Sequence, residues 1–297
     1  MSNEFQGIVP AMITPLDEHE EIDEPGLRDL TEILINKGVH GLFALGTNGE
    51  FFSLTDDEKV RVASIVKDQA AGRVPVFAGT GGYTTRGVIE LNRRMAEEVG
   101  VNGLSIITPY FNGATQAELI MHYERIAEAT DLPILLYTIP AKAGVTLTIP
   151  SVATLSEIPN IRAIKDSGGD FDRLVQLIRL RRDDFAVFTG TDSMILWTLM
   201  AGGDGAVAAT TNAVPDVVMT IWNAWQAGDF ETAREAQEKL RPLRNAFALG
   251  TMPSVLKTAA ALLGMPAGPA RSPVQALEPE ALEKLKQAIK VYDRVER

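Results

Sequence analysis

The chain has 297 residues, 45% of them hydrophobic, with three histidines and no cysteine, which supports one large α/β domain or two smaller ones. The missing cysteines exclude disulfides, thiolate nucleophiles and cysteine-bound zinc, and they fit a reducing cytoplasm. A net charge of −11 without a basic stripe speaks against nucleic acid as a partner; no run approaches the roughly 18 apolar residues of a membrane span, and the opening "MSNEFQG" lacks the regions of a signal peptide.

From the N-terminus, short β-rich runs alternate with amphipathic segments. Strands are predicted at 7–13, 41–45, 75–78, 103–107, 133–137, 161–165, 185–189 and 205–209. Helices are predicted at 25–37, 55–71, 85–99, 116–130, 150–157, 170–182, 192–201 and 215–227. The acidic run at 17–24 lacks the spacing and central glycine of a calcium loop and reads as a solvated loop before a helix. Thr55 followed by Glu58 is a capping box, and Pro150 and Pro215 suit first helical positions. The basic cluster Arg179, Arg181 and Arg182 reads as cations complementing the C-terminus of their own helix. Beyond residue 228 only helical signals remain, at 230–246, 252–263 and 278–293.

Eight strand–helix units predict a (β/α)8 TIM barrel as the catalytic domain, residues 1–228, with a C-terminal helical extension, residues 229–297, packed on it. A doubly wound open sheet is the alternative, but no glycine fingerprint follows the first strand.

Barrel active sites lie beyond the C-terminal strand ends. Here those ends read "GTNGE", "AGTGG", "TPYFNG", "YTIPAKAG", "KDSGG", "TGTD" and "AATTN". Small and hydroxyl residues of this kind offer backbone N–H groups to a carboxylate or phosphate. His19, His40 and His122 fall in unrelated contexts, which disfavours a Ser-His-Asp hydrolase and a histidine-bound metal. Lys165 ends an apolar strand. Alternation places Ile161, Ala163 and Lys165 on one face, and Arg162 on the other, so the lysine face should point into the barrel. Burial disfavours an ammonium, and a neutral amine attacks carbonyls to give a Schiff base. The competing possibility is a lysine that reaches the rim or pairs with an acid such as Asp192. Tyr137, at the end of the neighbouring predicted strand, is placed to relay protons.

Taken together, "GTNGE", "TPYFN", "YTIPAKAG", "IKDSGGD" and "GAVAATTN" resemble the N-acetylneuraminate lyase / dihydrodipicolinate synthase family over essentially the whole chain. The resemblance implies a (β/α)8 barrel, a homotetramer or homodimer, no metal or cofactor, and bond chemistry on pyruvate through a covalent lysine Schiff base. By position, Lys165 matches the Schiff-base lysine and Tyr137 the proton shuttle. Thr47 and Asn48 fall where the family has two hydroxyl residues that bind the pyruvyl carboxylate, Asn48 departing from both branches with an amide in place of the hydroxyl; Thr47 also matches the partner of the tyrosine hydroxyl, and Gly190 and Val207 match the lining of the pyruvyl pocket.

Four departures bear on the substrate. Phe111 stands where the synthase branch has a second tyrosine lent across a subunit interface. Lys142 stands where that branch has an arginine for the carboxylate of aspartate semialdehyde, and a lysine lacks the bidentate fork. Ser193 and Ala209 replace polar residues that contact the sugar chain in the sialic-acid branch. The resemblance therefore implies an aldolase that joins pyruvate to an aldehyde or cleaves a 2-keto-3-deoxy sugar acid. The alternatives are a 4-hydroxy-tetrahydrodipicolinate synthase, a dehydratase on the same scaffold, and a silent keto-acid sensor.

Overall fold

Eight strands form where the β-rich runs predict them: β1 (Gly7–Pro10), β2 (Leu42–Ala44), β3 (Val76–Gly79), β4 (Gly103–Ile107), β5 (Ile134–Thr138), β6 (Ile161–Asp166), β7 (Ala186–Thr189) and β8 (Gly205–Ala208). They belong to a computed structural model that describes residues 5–292. Residues 1–4 and 293–297 lie outside the described residues, and with them the outer ends of both predicted units and the end of the last predicted helix. All strand pairs are parallel, in the order β1-β8-β7-β6-β5-β4-β3-β2. A parallel bridge between Ala11 and Phe43, with the Met12 amide donating to the Phe43 carbonyl at 2.9 Å, closes the sheet into a barrel. No helix among the described residues is long and apolar enough to cross a membrane.

Period-2 alternation divides the core into two. Phe43, Phe77, Leu135, Ala163, Phe188 and Val207 meet inside the barrel, while Leu42, Leu104, Leu136 and Ile164 pack outward against helices. One strand breaks the alternation. Ile134 pairs with Ile161, but the next residue, Leu135, pairs with Ala163, which leaves Arg162 as a bulge. Ile161 therefore joins the outer cluster. The inward set is Ala163 and Lys165, not the predicted Ile161, Ala163 and Lys165, because the inserted residue shifts the parity.

The helices start as their caps dictate. The Thr55 hydroxyl accepts from the Glu58 amide at 3.3 Å and Glu58 accepts from the Thr55 amide at 2.7 Å; Thr115 and Glu118 repeat the device. The predicted helix at 170–182 stops earlier, at Phe171–Ile178. Its basic tail serves other elements. Arg181 pairs with Asp204 at 2.7 Å, and Arg182 donates to the Ser156 carbonyl at 2.6 Å, at the end of the preceding helix Ile149–Ser156.

The three histidines stay apart. His122, on helix Gln116–Glu128, bonds Thr85 through Nδ1 at 2.9 Å, and burial pushes its pKa down to about 4. The folded state holds this imidazole neutral, whereas the unfolded chain protonates it near pH 6.5. Stability is then present above pH 6.5 and falls as pH drops toward 4, by about 2–3 kcal/mol from this group. His122→Gln should flatten that part of a stability–pH curve measured by urea unfolding.

The extension folds as helices Phe230–Lys239, Arg241–Ala246, Ser254–Leu262 and Pro279–Ile289. It is tied to the loop after β2. Lys257 and Glu50, each 1% exposed, form an ion pair at 2.5 Å. Lys257 also donates to the Pro269 carbonyl at 2.6 Å, and Glu50 accepts from the Arg271 amide at 2.8 Å.

Candidate active site

Strand register brings the central pair together. Tyr137 is the direct neighbour of Lys165 across β5 and β6. Both are buried, and Lys165 Nζ lies 4.1 Å from the Tyr137 ring centroid and 5.0 Å from that of Phe43. Among the described residues no carboxylate lies within ion-pair distance of this amine. The predicted competitor, Asp192, accepts instead from the amides of Ala209 and Thr210 at 3.2 and 2.6 Å. Asp166, next in sequence, points the other way and is held by Arg173 at 2.9 Å and by the Gly168 amide at 2.9 Å. These bonds fix the "KDSGG" turn behind the lysine without neutralising it.

The Tyr137 hydroxyl is 3.2 Å from the Thr47 hydroxyl. Thr47 belongs to a turn bounded by two non-glycine residues in the left-handed region, Leu45 at φ 62° and Glu50 at φ 58°. Such backbone is costly and is retained where surroundings over-determine it. Here Glu50 is clamped by Lys257 and Arg271, and the Gly49 carbonyl accepts from Thr14 at 2.8 Å. Within the turn the Gly49 and Glu50 amides bond to the Gly46 and Thr47 carbonyls at 3.0 and 3.3 Å. Among the described residues no acceptor meets the amides of Thr47 and Asn48. The carboxylate-binding capacity of "GTNGE" therefore narrows to two adjacent N–H groups and the Thr47 hydroxyl.

Gly190 lies against the lysine stem. A Cβ added there would sit 1.9 Å from Ser167 Oγ and 2.7 Å from Lys165 Cε, so only glycine leaves room beside the amine. Val207 lines the barrel interior with Ala163 and Phe188. Lys142 is exposed on a short helix, Pro140–Ala143, in the loop after β5. Phe111 is not brought to this site: it is 91% exposed at φ 79°. Ser193 and Ala209 sit on the rim after β7 and β8.

Two features escaped the sequence reading. Phe43 forms the apolar wall facing the amine, and inward parity of β2 was the available signal. The Glu50–Lys257 clamp was hinted at by a lone lysine within the apolar helix "SVLKTAAAL".

A profile described as the Dihydrodipicolinate synthetase family matches residues 4–292. A protein of Methanopyrus kandleri named 4-hydroxy-tetrahydrodipicolinate synthase is 37% identical over 292 residues, 98% of this chain and 97% of that one. A crystal structure of dihydrodipicolinate synthase DapA-2 from Bacillus anthracis superposes with a TM-score of 0.92 at 34% identity, covering 96% of this chain and 97% of that one. The structure of YagE from Escherichia coli K12, described as a prophage protein of the dihydrodipicolinic acid synthase family in complex with pyruvate, gives the same TM-score, identity and coverage. The chain belongs to the Dihydrodipicolinate synthetase family, whose enzymes are carbon–carbon lyases that work through a covalent lysine–pyruvate Schiff base without metal or external cofactor.

Proposed function

We propose that Lys165 carries the Schiff base, Tyr137 moves the protons, and the Thr47–Asn48 turn holds the pyruvyl carboxylate. The observation that supports this most directly is the buried Lys165 amine, without a carboxylate partner among the described residues, over a tyrosine whose hydroxyl meets Thr47. Nζ adds to the ketone carbon of pyruvate; the carbinolamine oxygen takes the Tyr137 proton and leaves as water, giving a protonated imine. The phenolate removes a C3 proton to form an enamine. C3 then attacks the aldehyde carbon, and the new alkoxide takes its proton back from Tyr137. Water hydrolyses the imine and frees the amine. Cleavage is the same sequence reversed.

The relatives' name supports condensation with aspartate semialdehyde as the first reading. Two observations favour a second, cleavage or formation of a 2-keto-3-deoxy sugar acid: Phe111 has no hydroxyl to extend the relay, and Lys142 has no fork for the semialdehyde carboxylate. Product analysis separates them. Substantial condensation of pyruvate with aspartate semialdehyde supports the first; release of pyruvate and an aldehyde from a 2-keto-3-deoxy acid supports the second, and loss of water alone would make the enzyme a dehydratase. Tyr137→Phe should lower kcat about 10²- to 10⁴-fold, as loss of a general acid–base does, while pyruvate remains trappable on the lysine; unchanged kcat would remove Tyr137 from the relay.

The same reading has the barrel, residues 1–228, buttressed by the extension, 229–297. It places the enzyme in the cytoplasm as a homotetramer or homodimer, with the exposed Phe111 rim as a contact between copies. Sedimentation of Phe111→Asp would test that contact.

A further inference from the structure

Beside the ends of β7 and β8 the extension leaves a recess of about 140 Å³ lined by Ser193, Gln237, Leu240, Arg241, Arg244 and Asn245. Its wall is firmly built. Gln237, 3% exposed, accepts from the Leu196 amide and donates to the Asp192 carbonyl, both at 2.9 Å. Asp192 in turn binds the first amides beyond β8. The recess therefore belongs to the rim that carries Lys165. Gly190 packs on the lysine stem, and Ser193 follows three residues later, at most about 10 Å of extended chain.

The two arginines in the recess differ. Arg241 is satisfied, donating to both Glu238 carboxylate oxygens at 2.8 and 2.7 Å. Arg244 has no carboxylate within ion-pair distance among the described residues. Its Nε is buried without an acceptor, and its guanidinium lies 5.0 Å from the Phe247 ring centroid. A buried donor left without an acceptor costs about 1–3 kcal/mol. The chain has 39 acidic residues against 28 basic ones, yet among the described residues none meets this cation. A guanidinium fork fits carboxylate and phosphate oxygens, and Ser193 and Asn245 add neutral donors.

We propose that this recess is an oxyanion subsite for the distal carboxylate or phosphate of the aldehyde-derived half of the substrate. The inference rests on the pyruvate–aldehyde reading above, so its test has one arm that needs no catalysis. In that arm, titration calorimetry measures inorganic phosphate binding to wild type, Arg244→Gln and Arg244→Lys. The expected result is binding to wild type that weakens about tenfold or more in Arg244→Gln and less in Arg244→Lys, with matched thermal midpoints showing that the variants fold. In the second arm, kcat/KM is compared for glyceraldehyde 3-phosphate, succinic semialdehyde and glyceraldehyde with pyruvate. Preference for the phosphate or for the carboxylate identifies the source of the anion. The ratio of the preferred charged aldehyde to glyceraldehyde should fall about tenfold in Arg244→Gln, and phosphate should compete with the aldehyde. If pyruvate gives no reducible adduct while phosphate binding still depends on Arg244, the aldolase reading fails and the anion site stands. Phosphate binding that ignores Arg244, no phosphate binding, or competition with pyruvate alone would overturn the subsite.

Discussion

Lys165→Ala should lower kcat/KM for carbon–carbon bond formation or cleavage about 10⁴-fold or more while leaving the fold intact. The first half follows from removing the covalent nucleophile, since the remaining groups of such a site bind and polarise but form no imine. The second half follows from the surroundings. Lys165 has no carboxylate partner among the described residues, so its loss strands no buried acid; Asp166 keeps Arg173 and the Gly168 amide. Steady-state kinetics and a thermal melt check both halves. Substantial turnover by a folded Lys165→Ala enzyme would remove the lysine from the chemistry, whereas a collapsed melting transition would mean that the side chain is structural.

Lys257→Met should have the opposite signature. It leaves Glu50, 1% exposed, without its main counter-charge, and breaking a buried pair from one side costs about 3–5 kcal/mol. Burial lowers the Lys257 pKa, Glu50 acts against it, and the nearby Arg271 charge adds to the lowering, so Glu50 is the charge that holds the Lys257 ammonium in place. The damage should also reach function. Glu50 closes the turn that carries Thr47 and Asn48, and with a relaxed turn the KM for pyruvate should rise. Adding Glu50→Gln should restore part of the stability, because the stranded charge is gone, but not the KM, because the clamp is still missing. Urea unfolding and pyruvate kinetics on the single and double variants give both readouts. A single variant as stable as wild type would show that the extension does not hold the turn.

Much of this was legible in the sequence because it is periodic or local. Alternating apolar runs set the eight strands, capping residues set the helix starts, and strand ends announced where the chemistry should be. Lys165 and Tyr137 are brought together because neighbouring parallel strands place their last inward residues side by side, and Thr47 reaches the Tyr137 hydroxyl from the turn beyond β2. What was not legible depends on register or on distant contacts. The bulge at Arg162 moves Ile161 outward, and nothing in "IRAIKD" signals an extra residue. Arg181 and Arg182 found Asp204 and Ser156 rather than their own helix end. Glu50 and Lys257 are 207 residues apart. Phe111, which the resemblance places at a subunit interface, stands 91% exposed on its own barrel.

Borohydride trapping tests the central claim most directly. The enzyme is reduced in the presence of pyruvate, digested, and its modified peptide identified by mass spectrometry. The expected result is one reduced pyruvyl group on the peptide containing Lys165, and none in Lys165→Ala. An unmodified protein, or an adduct on another lysine that persists in Lys165→Ala, would contradict it.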